Sequence, residues 1–520
     1  ELDGTIRRLT NDQDHNWNPS LLNDGRILYQ RWEYADIAHA FTRLLFHANP
    51  DGTGQAEHYG SNSYWPTAMF FPRAVPNHLT RFVAVVGGHH DAPRQGELIL
   101  FDTALGRHET SGVVQRIPGW GKPVEPNLQD GLIGASWPRF LHPYPLSDKY
   151  FLTSCKPTRE SLWGVYLVDI FDNFVLLYEE PGQAILEPVP LCERERPFDA
   201  PDRIDRHAST ATVSLMDVYR GPGMRGVPRN SIHSLRLISY EFTFHGLGGE
   251  PDRVGFDGPW DVKRIIGTVP VEEDGSACFT IPANTPIAVQ PLDVEGKAVA
   301  LMRSWFTAGP GETLSCVGCH EPQNITPPVD CVPLALKREP SDVTPWYGPA
   351  RGFSFVREVQ PVLDAYCVEC HSADSDNPEA ANLVLTALPY ERIPSAFHMR
   401  FPPAYTTLHR FVYAPTLESD AHLLPPYAYH ADVSKLVQIL RDGHHGVRLN
   451  PEAWDRLITW IDLNSPAHGT WEEAAGELTD KVAAVQYGAQ RRREMNARYA
   501  GFDEDPEAIF PLVPLASAHM

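Results

Sequence analysis

The sequence lacks the long apolar runs of membrane-spanning proteins and the excess of basic residues that is typical of nucleic-acid-binding proteins. Its longest apolar runs, such as 82–86 and 98–101, fall far short of the roughly 18 residues that a membrane-spanning helix needs. It contains 44 Lys and Arg against 66 Asp and Glu, which gives a net charge of -22. Because phosphate binding requires clustered basic side chains, we expect no nucleic-acid partner. Because the apolar runs are short, we expect no membrane span.

Cysteine is also scarce, with 8 in 520 residues, yet half of the cysteines fall in two copies of one motif. The motif is Cys-x-x-Cys-His, the attachment signature of a c-type haem, in which two thioethers hold the porphyrin and the histidine reaches the iron. The two copies are Cys316, Cys319 and His320, and Cys367, Cys370 and His371. We therefore predict two covalently bound c-type haems.

A zinc knuckle or a redox dithiol would also use a Cys-x-x-Cys pair. A structural zinc site needs two further Cys or His ligands at short spacing. Cys331 could supply one ligand to the first motif, but nothing comparable lies near the second. The haem interpretation is favoured for both motifs. A separate zinc or calcium ion is a further cofactor that the sequence allows.

Residues 1–212 alternate short β-type runs with turns, for example Asp24-Gly25 followed by 26–29. Spacings of roughly 40 to 50 residues between such groups are typical of β-propeller blades. The stretch holds about four blades, so we expect a partial propeller that lacks residues before Glu1. We interpret Glu1 as a processed or truncated start.

One loop of this region carries chemically active side chains. His89 and His90 follow an apolar strand and precede Asp91. In a propeller mouth they would serve as hydrogen-bond donors or metal ligands near the first haem. The alternative is a loop that is simply held together by imidazole hydrogen bonds.

The remainder divides into three predicted segments, 213–328, 329–352 and 353–520. The first alternates in β fashion and ends with the first motif, and a haem on such a scaffold keeps one iron face open. The second is a Pro-rich linker. The third is helical and cytochrome c-like, carries the second motif and ends in a strap. The expected fold class is multidomain and mainly β, with an α-helical C-terminal part.

The second iron needs a ligand opposite His371. Residues 434–464 have the pattern of a helix, a Gly-containing loop and a second helix, with Asn450 as the N-cap. That loop contains His444 and His445. Met399 is a chemically sound alternative, since a Met ligand raises the reduction potential.

Three segments resemble the hydrazine synthase alpha subunit family: 87–102, 267–321 and 454–471. In that family a propeller, a haem-bearing middle domain and a C-terminal c-type domain form one chain. Its C-terminal domain places a histidine in the loop described above, so the resemblance favours His444 as the ligand.

At the family's first haem, a Tyr four residues beyond the motif binds iron and the motif histidine serves a zinc ion. The corresponding residue here is Asn324, so His320 is predicted to be an ordinary proximal ligand.

The resemblance implies a haem oxidoreductase that acts on a small nitrogen or oxygen species, and a relative rather than the hydrazine-forming enzyme itself. The haem on His320 would react and the haem on His371 would relay electrons to a redox partner protein or other cytochrome subunits. Because c-type haem is attached outside the cytoplasm, we expect a periplasmic or other extracytoplasmic location. The alternatives are a non-catalytic electron-transfer protein and a propeller docking subunit.

Overall fold

The structure is a computed structural model that describes residues 4–12, 15–33, 36–37, 43–88, 94–126, 128, 136–244, 247, 252–258, 261–320, 324, 332–392, 399–416, 419–476, 478–510 and 515. The chain forms two compact units. We call Asp14–Glu33 with Ala38–Ile204 the meander unit, and Glu1–Gln13, Tyr34–Ile37 and Asp205–Met520 the motif unit. Within the described ranges, no helix is long and apolar enough to cross a membrane.

The meander unit contains three successive four-stranded antiparallel meanders, and one parallel bridge between Arg43 and Ala68 joins the first two into an eight-stranded sheet. The first has β1 His15–Leu21, β2 Ile27–Trp32, β3 Arg43–Ala48 and β4 Ala56–Tyr59. The second has β5 Ala68–Ala74, β6 Arg81–Gly87, β7 Glu97–Asp102 and β8 Val113–Ile117. The third has β9 Arg139–Pro145, β10 Tyr150–Lys156, β11 Gly164–Asp169 and β12 Phe174–Tyr178.

The meanders pack face to face through the two sides of the middle one. Successive residues of a strand point to opposite faces, so β6 is buried on both. Val83 and Val85 share a core with Phe151 of the third meander. Phe82 and Ala84 share another core with strands of the first meander. The propeller expectation is met only in part, because the described residues give three meanders that do not close a ring.

The motif unit begins with two packed sheets. Its strands are β13 Thr210–Leu215, β14 Ser234–Glu241, β15 Val262–Pro270, β16 Ala277–Pro282, β17 Ile287–Leu292, β18 Thr313–Cys316, β19 Arg351–Gly352, β20 Glu391–Arg392 and β21 Arg400–Phe401. One sheet has the order β16-β13-β18, with β18 parallel to β13, and the other has the order β17-β14-β15-β19. Leu235 and Leu237 of β14 join Val213 and Phe279 in the core between them.

Helices follow the sheets and cover the second sheet's other face. They are α1 Phe355–Glu358, α2 Gln360–Tyr366, α3 Pro378–Ala381, α4 Pro403–His409, α5 Lys435–Asp442, α6 Pro451–Asp462, α7 Trp471–Ala475 and α8 Thr479–Tyr499. Ile238 and Ile265 of the sheet share one core with Phe355, Leu457 and Trp460. The β-rich and helical segments therefore share one hydrophobic core.

Pro361 divides the helix that approaches the second motif. It lacks a backbone N–H, so α1 ends at Glu358 and α2 begins at Gln360, with Pro361 in its first turn. The proline therefore interrupts the helix. The predicted N-cap of α6 is confirmed, because the Asn450 side chain accepts a hydrogen bond from the Ala453 backbone N–H.

Candidate functional site

The second motif continues directly from α2. The backbone N–H of Cys367 donates to the Leu363 carbonyl at 2.8 Å, and that of His371 donates to the Cys367 carbonyl at 2.9 Å. These bonds keep the chain in helical turns through the motif. Downstream, the Leu385 N–H donates to the His371 carbonyl at 2.9 Å, which fixes the far end of the motif.

His444 lies opposite His371. The two Nε2 atoms are 3.5 Å apart, and the ring planes are inclined by only 17°. Helix α5 ends at Asp442, and Gly443, with φ 91°, turns the chain out of the helix. Burial, with the neighbouring His445 and His371, lowers the pKa of His444, which favours the neutral imidazole that a metal requires.

The two alternative ligands occupy different surroundings. His445 is exposed, and its ring lies edge-on to that of His444 at a centroid distance of 4.7 Å. Met399 is buried in the core shared by sheet and helices, where its Sδ lies 3.9 Å from Nη1 of Arg253. Among the three candidate ligands, His444 is the one whose contact with His371 the structure shows.

The setting of the second motif is apolar on one side. Cys367 packs against the shared core, as do partly buried side chains of α5 and the following loop, including Leu436, Leu440 and Leu449. Burial and the adjacent Cys370 raise the pKa of the Cys367 thiol to about 11. The Nδ1 atom of His371 is buried and has no hydrogen-bond partner among the described residues.

The first motif has a different support, built of backbone. It begins at Cys316, the last residue of β18, and the Met216 N–H donates to the Cys316 carbonyl at 2.9 Å. The turn after β13 then runs against the motif. A Cβ added to Gly221 would lie 2.4 Å from the Cys319 carbonyl oxygen, and one added to Gly318 would lie 2.4 Å from that of Arg220. Glycine is therefore required on both sides of this contact.

The side chains of the first motif differ in accessibility. Cys319 is packed against the core of the two sheets, and burial, with the charge of Asp217, raises the pKa of its thiol to about 12. His320 is exposed, in the left-handed region with φ 56°. Among the described residues, none of the four motif cysteines forms a disulfide bond. His89 and His90 lie outside the described residues.

Sequence reasoning missed two supports of these motifs. One is the glycine contact around Gly221, where the sequence Gly-Pro-Gly is typical of a turn and does not indicate a contact with the motif. The other is a buried charge cluster that contains Glu358 and Arg456, which are 98 residues apart. Charged residues at helical positions are ordinarily solvated, so the sequence held no signal for it.

Comparison with known proteins connects these features to one family. A protein-family model described as "Hydrazine synthase alpha subunit middle domain" matches residues 230–321, which include the first motif. The solved structure of Kuenenia stuttgartiensis hydrazine synthase aligns over 89% of this chain and 70% of its own, with a TM-score of 0.65 at 17% identity. The chain is a relative of the hydrazine synthase alpha subunit.

The sequence match to that relative is limited in extent. Hydrazine synthase subunit alpha of Kuenenia stuttgartiensis is 26% identical over 26% of this chain, and the match spans only 23% of that protein's length. The structural likeness, at 17% identity, extends the similarity to the fold. This confirms the expected relationship and the multidomain, mainly β architecture.

Proposed function

We propose that this chain is a dihaem c-type oxidoreductase related to the hydrazine synthase alpha subunit. The first motif would hold a reactive haem, and the second would hold a haem that relays electrons. When bound, c-type haems supply one-electron transfer and, where an iron position is open, binding of a small molecule. The substrate proposed is a small nitrogen or oxygen species.

The observation that carries the proposal is the pair formed by His371 and His444. Two imidazole Nε2 atoms at 3.5 Å, in nearly parallel rings, are within about 0.5 Å of the span of two metal–nitrogen bonds of roughly 2 Å each. At that separation a hydrogen bond between them is poor. The neighbouring Cys367 and Cys370 are free, as thioether attachment requires. These residues fit a haem with two histidine ligands.

The first motif supports the complementary role. Cys316 and Cys319 would attach the haem to a β scaffold, and His320 would be its proximal ligand. His320 is exposed whereas His371 is half-buried, so the histidine of the first motif is the more accessible of the two. We also propose His89 and His90 as distal hydrogen-bond donors or metal ligands. A zinc or calcium ion is a further proposed cofactor.

The spectrum of the purified protein tests this assignment. We expect mass analysis of the unfolded chain to show two haems, and electron paramagnetic resonance to show one low-spin and one high-spin iron. Carbon monoxide, cyanide or nitric oxide should shift the Soret band of one haem only. If both irons are low-spin and unresponsive, the chain is an electron-transfer protein without catalysis.

A docking role is a second candidate, and β12 favours it. This edge strand has four consecutive apolar residues that are about half exposed, between 43% at Leu176 and 53% at Tyr178. Exposed apolar edges are sites for pairing with other chains. Other cytochrome subunits or a redox partner in an extracytoplasmic compartment are the proposed partners. Isolation of the native complex would show whether the meander unit binds them.

A further inference from the structure

A buried charge network joins the helices on either side of the second motif. The Glu358 carboxylate accepts from Nε and Nη2 of Arg351, at 2.6 and 3.0 Å, and from Nη1 of Arg456 at 2.8 Å. Nε and Nη2 of Arg456 donate to Oε1 of Glu452, at 3.0 and 2.7 Å. Arg456 is fully buried and Glu358 is 2% exposed, so each charge depends on its partner.

The network lies at the base of both histidine-bearing segments. Glu358 is the last residue of α1, and α2 leads from there to His371 without a loop. Arg456 lies in α6, which begins shortly after the turn that holds His444. The two helices α2 and α6 also contact one another. A shift between Glu358 and Arg456 would therefore move the two histidine-bearing segments relative to one another.

Aromatic side chains connect the network to the motif. The Arg456 guanidinium lies 5.4 Å from the centre of the Tyr347 ring, and Tyr347 packs on the same core as Cys367. The Trp346 indole N–H donates to Asp455 at 2.8 Å, which fixes α6 against this segment. The charge network and the motif are thus parts of one packed region.

Stability alone does not explain such an arrangement. Apolar residues of similar volume often stabilise a protein as well as a buried ion pair does, or better. A guanidinium group held by carboxylates differs from apolar residues because its hydrogen bonds have fixed directions. These bonds allow only one register of one helix against the other. The distinctive contribution of Arg456 is therefore geometric.

We propose that Glu358 and Arg456 are positioning residues for the imidazole pair, holding α2 and α6 so that His371 and His444 keep the spacing of two ligands on one iron. This inference rests on the proposed function. These two residues would keep both imidazoles in place to hold the haem, and neither of them would contact the iron.

Carbon monoxide binding by the reduced holoprotein tests this role. In the wild-type protein we expect one carbon monoxide per chain, bound at the first haem. In R456M, which keeps the side-chain volume and removes the fork, binding should approach two per chain, with the haem content unchanged by mass. The rate of binding at the second haem should rise by at least about tenfold, equivalent to ~1.4 kcal/mol.

Two milder variants and one control complete the design. R456K keeps the charge without the fork, and E358Q keeps the shape without the charge. Both should give intermediate rates, and they decide the question if R456M does not fold. R264M removes a different ion pair of the same unit, Arg264 with Glu241 at 2.9 Å, and should leave the second haem unreactive.

The outcomes separate the two levels of inference. A wild-type protein without a low-spin second haem overturns the proposed function itself. A low-spin wild type, with folded R456M, R456K and E358Q that still bind one carbon monoxide, overturns the positioning role alone. An equal effect in R264M would also overturn it, because the response would then follow from general destabilisation.

Discussion

The two Cys-x-x-Cys-His motifs share a sequence pattern and differ in almost every physical support. The second continues a helix, faces the His444 imidazole and lies beside a buried charge network. The first ends an edge strand, rests on glycine backbone at Gly221 and exposes His320. On the proposed function, the shared motif would specify haem attachment, and the surrounding elements would specify how many sides of the iron the protein fills.

The largest effect expected is on the second motif, from loss of the facing imidazole. In H444A the second haem should lose its distal ligand, and carbon monoxide binding to the reduced protein should rise from one to two per chain. H445A is the matched control, because the neighbouring His445 is exposed and turned edge-on. The opposite result would identify His445 as the ligand and break the comparison.

The glycine support of the first motif provides the next test. Gly221 and Gly226 both have positive φ, at 91° and 85°, but only Gly221 faces the Cys319 carbonyl, and nothing lies within 4 Å of a Cβ at Gly226. G226A should lower the free energy of unfolding by about 1 kcal/mol through backbone strain. G221A should lower it by roughly 3 kcal/mol, because the motif backbone must also move.

Mass analysis of haem-bearing peptides completes that experiment. We expect G221A to reduce haem attachment at Cys316 and Cys319 while Cys367 and Cys370 stay fully modified. Equal attachment at both motifs in G221A and G226A would show that the glycine contact does not support the first motif.

Acid should weaken the motif unit through its buried histidines. Burial lowers the pKa of His468 to about 4, from an ordinary value of 6.5. Between pH 6.5 and 4 the histidine is therefore neutral in the folded state and protonated in the unfolded state. Its contribution to the free energy of unfolding is present above pH 6.5 and is lost as the pH falls towards 4. The difference amounts to about 3 kcal/mol at full effect.

H468Q, which cannot titrate, isolates this contribution. Between pH 7 and 4 the unfolding midpoint of the wild-type protein should fall more steeply than that of H468Q. His430, whose pKa burial also lowers to about 4, remains in both proteins and serves as an internal reference. Parallel pH profiles would contradict the assignment.

The smallest effect concerns the helix after the His444 loop. The Asn450 side chain caps α6 by accepting from the Ala453 N–H at 2.8 Å. N450A should lower the free energy of unfolding by about 1 kcal/mol and slightly increase carbon monoxide access to the second haem. N377A removes the equivalent cap of α3 and should change stability alone. Equal access in both variants would show that α6 does not hold the His444 loop.

Much of the local structure could be predicted from the sequence. The break at Pro361 and the cap at Asn450 follow from backbone chemistry that neighbouring residues decide. The strands of the meander unit follow from the alternation of short β-type runs with turns. About four blades were expected, whereas the described residues form three meanders, because spacing along a chain does not fix how sheets stack.

The sequence by itself determined the two attachment motifs, the candidate histidines and the mainly β character, since each depends on residue type and short spacing. Only the tertiary structure brought His444 to 3.5 Å from His371 and enclosed Arg456 with Glu358, contacts that join residues 73 and 98 positions apart. Such pairings depend on how helices cross over a shared core. That choice is made by the packing of many side chains together, and no local pattern records it.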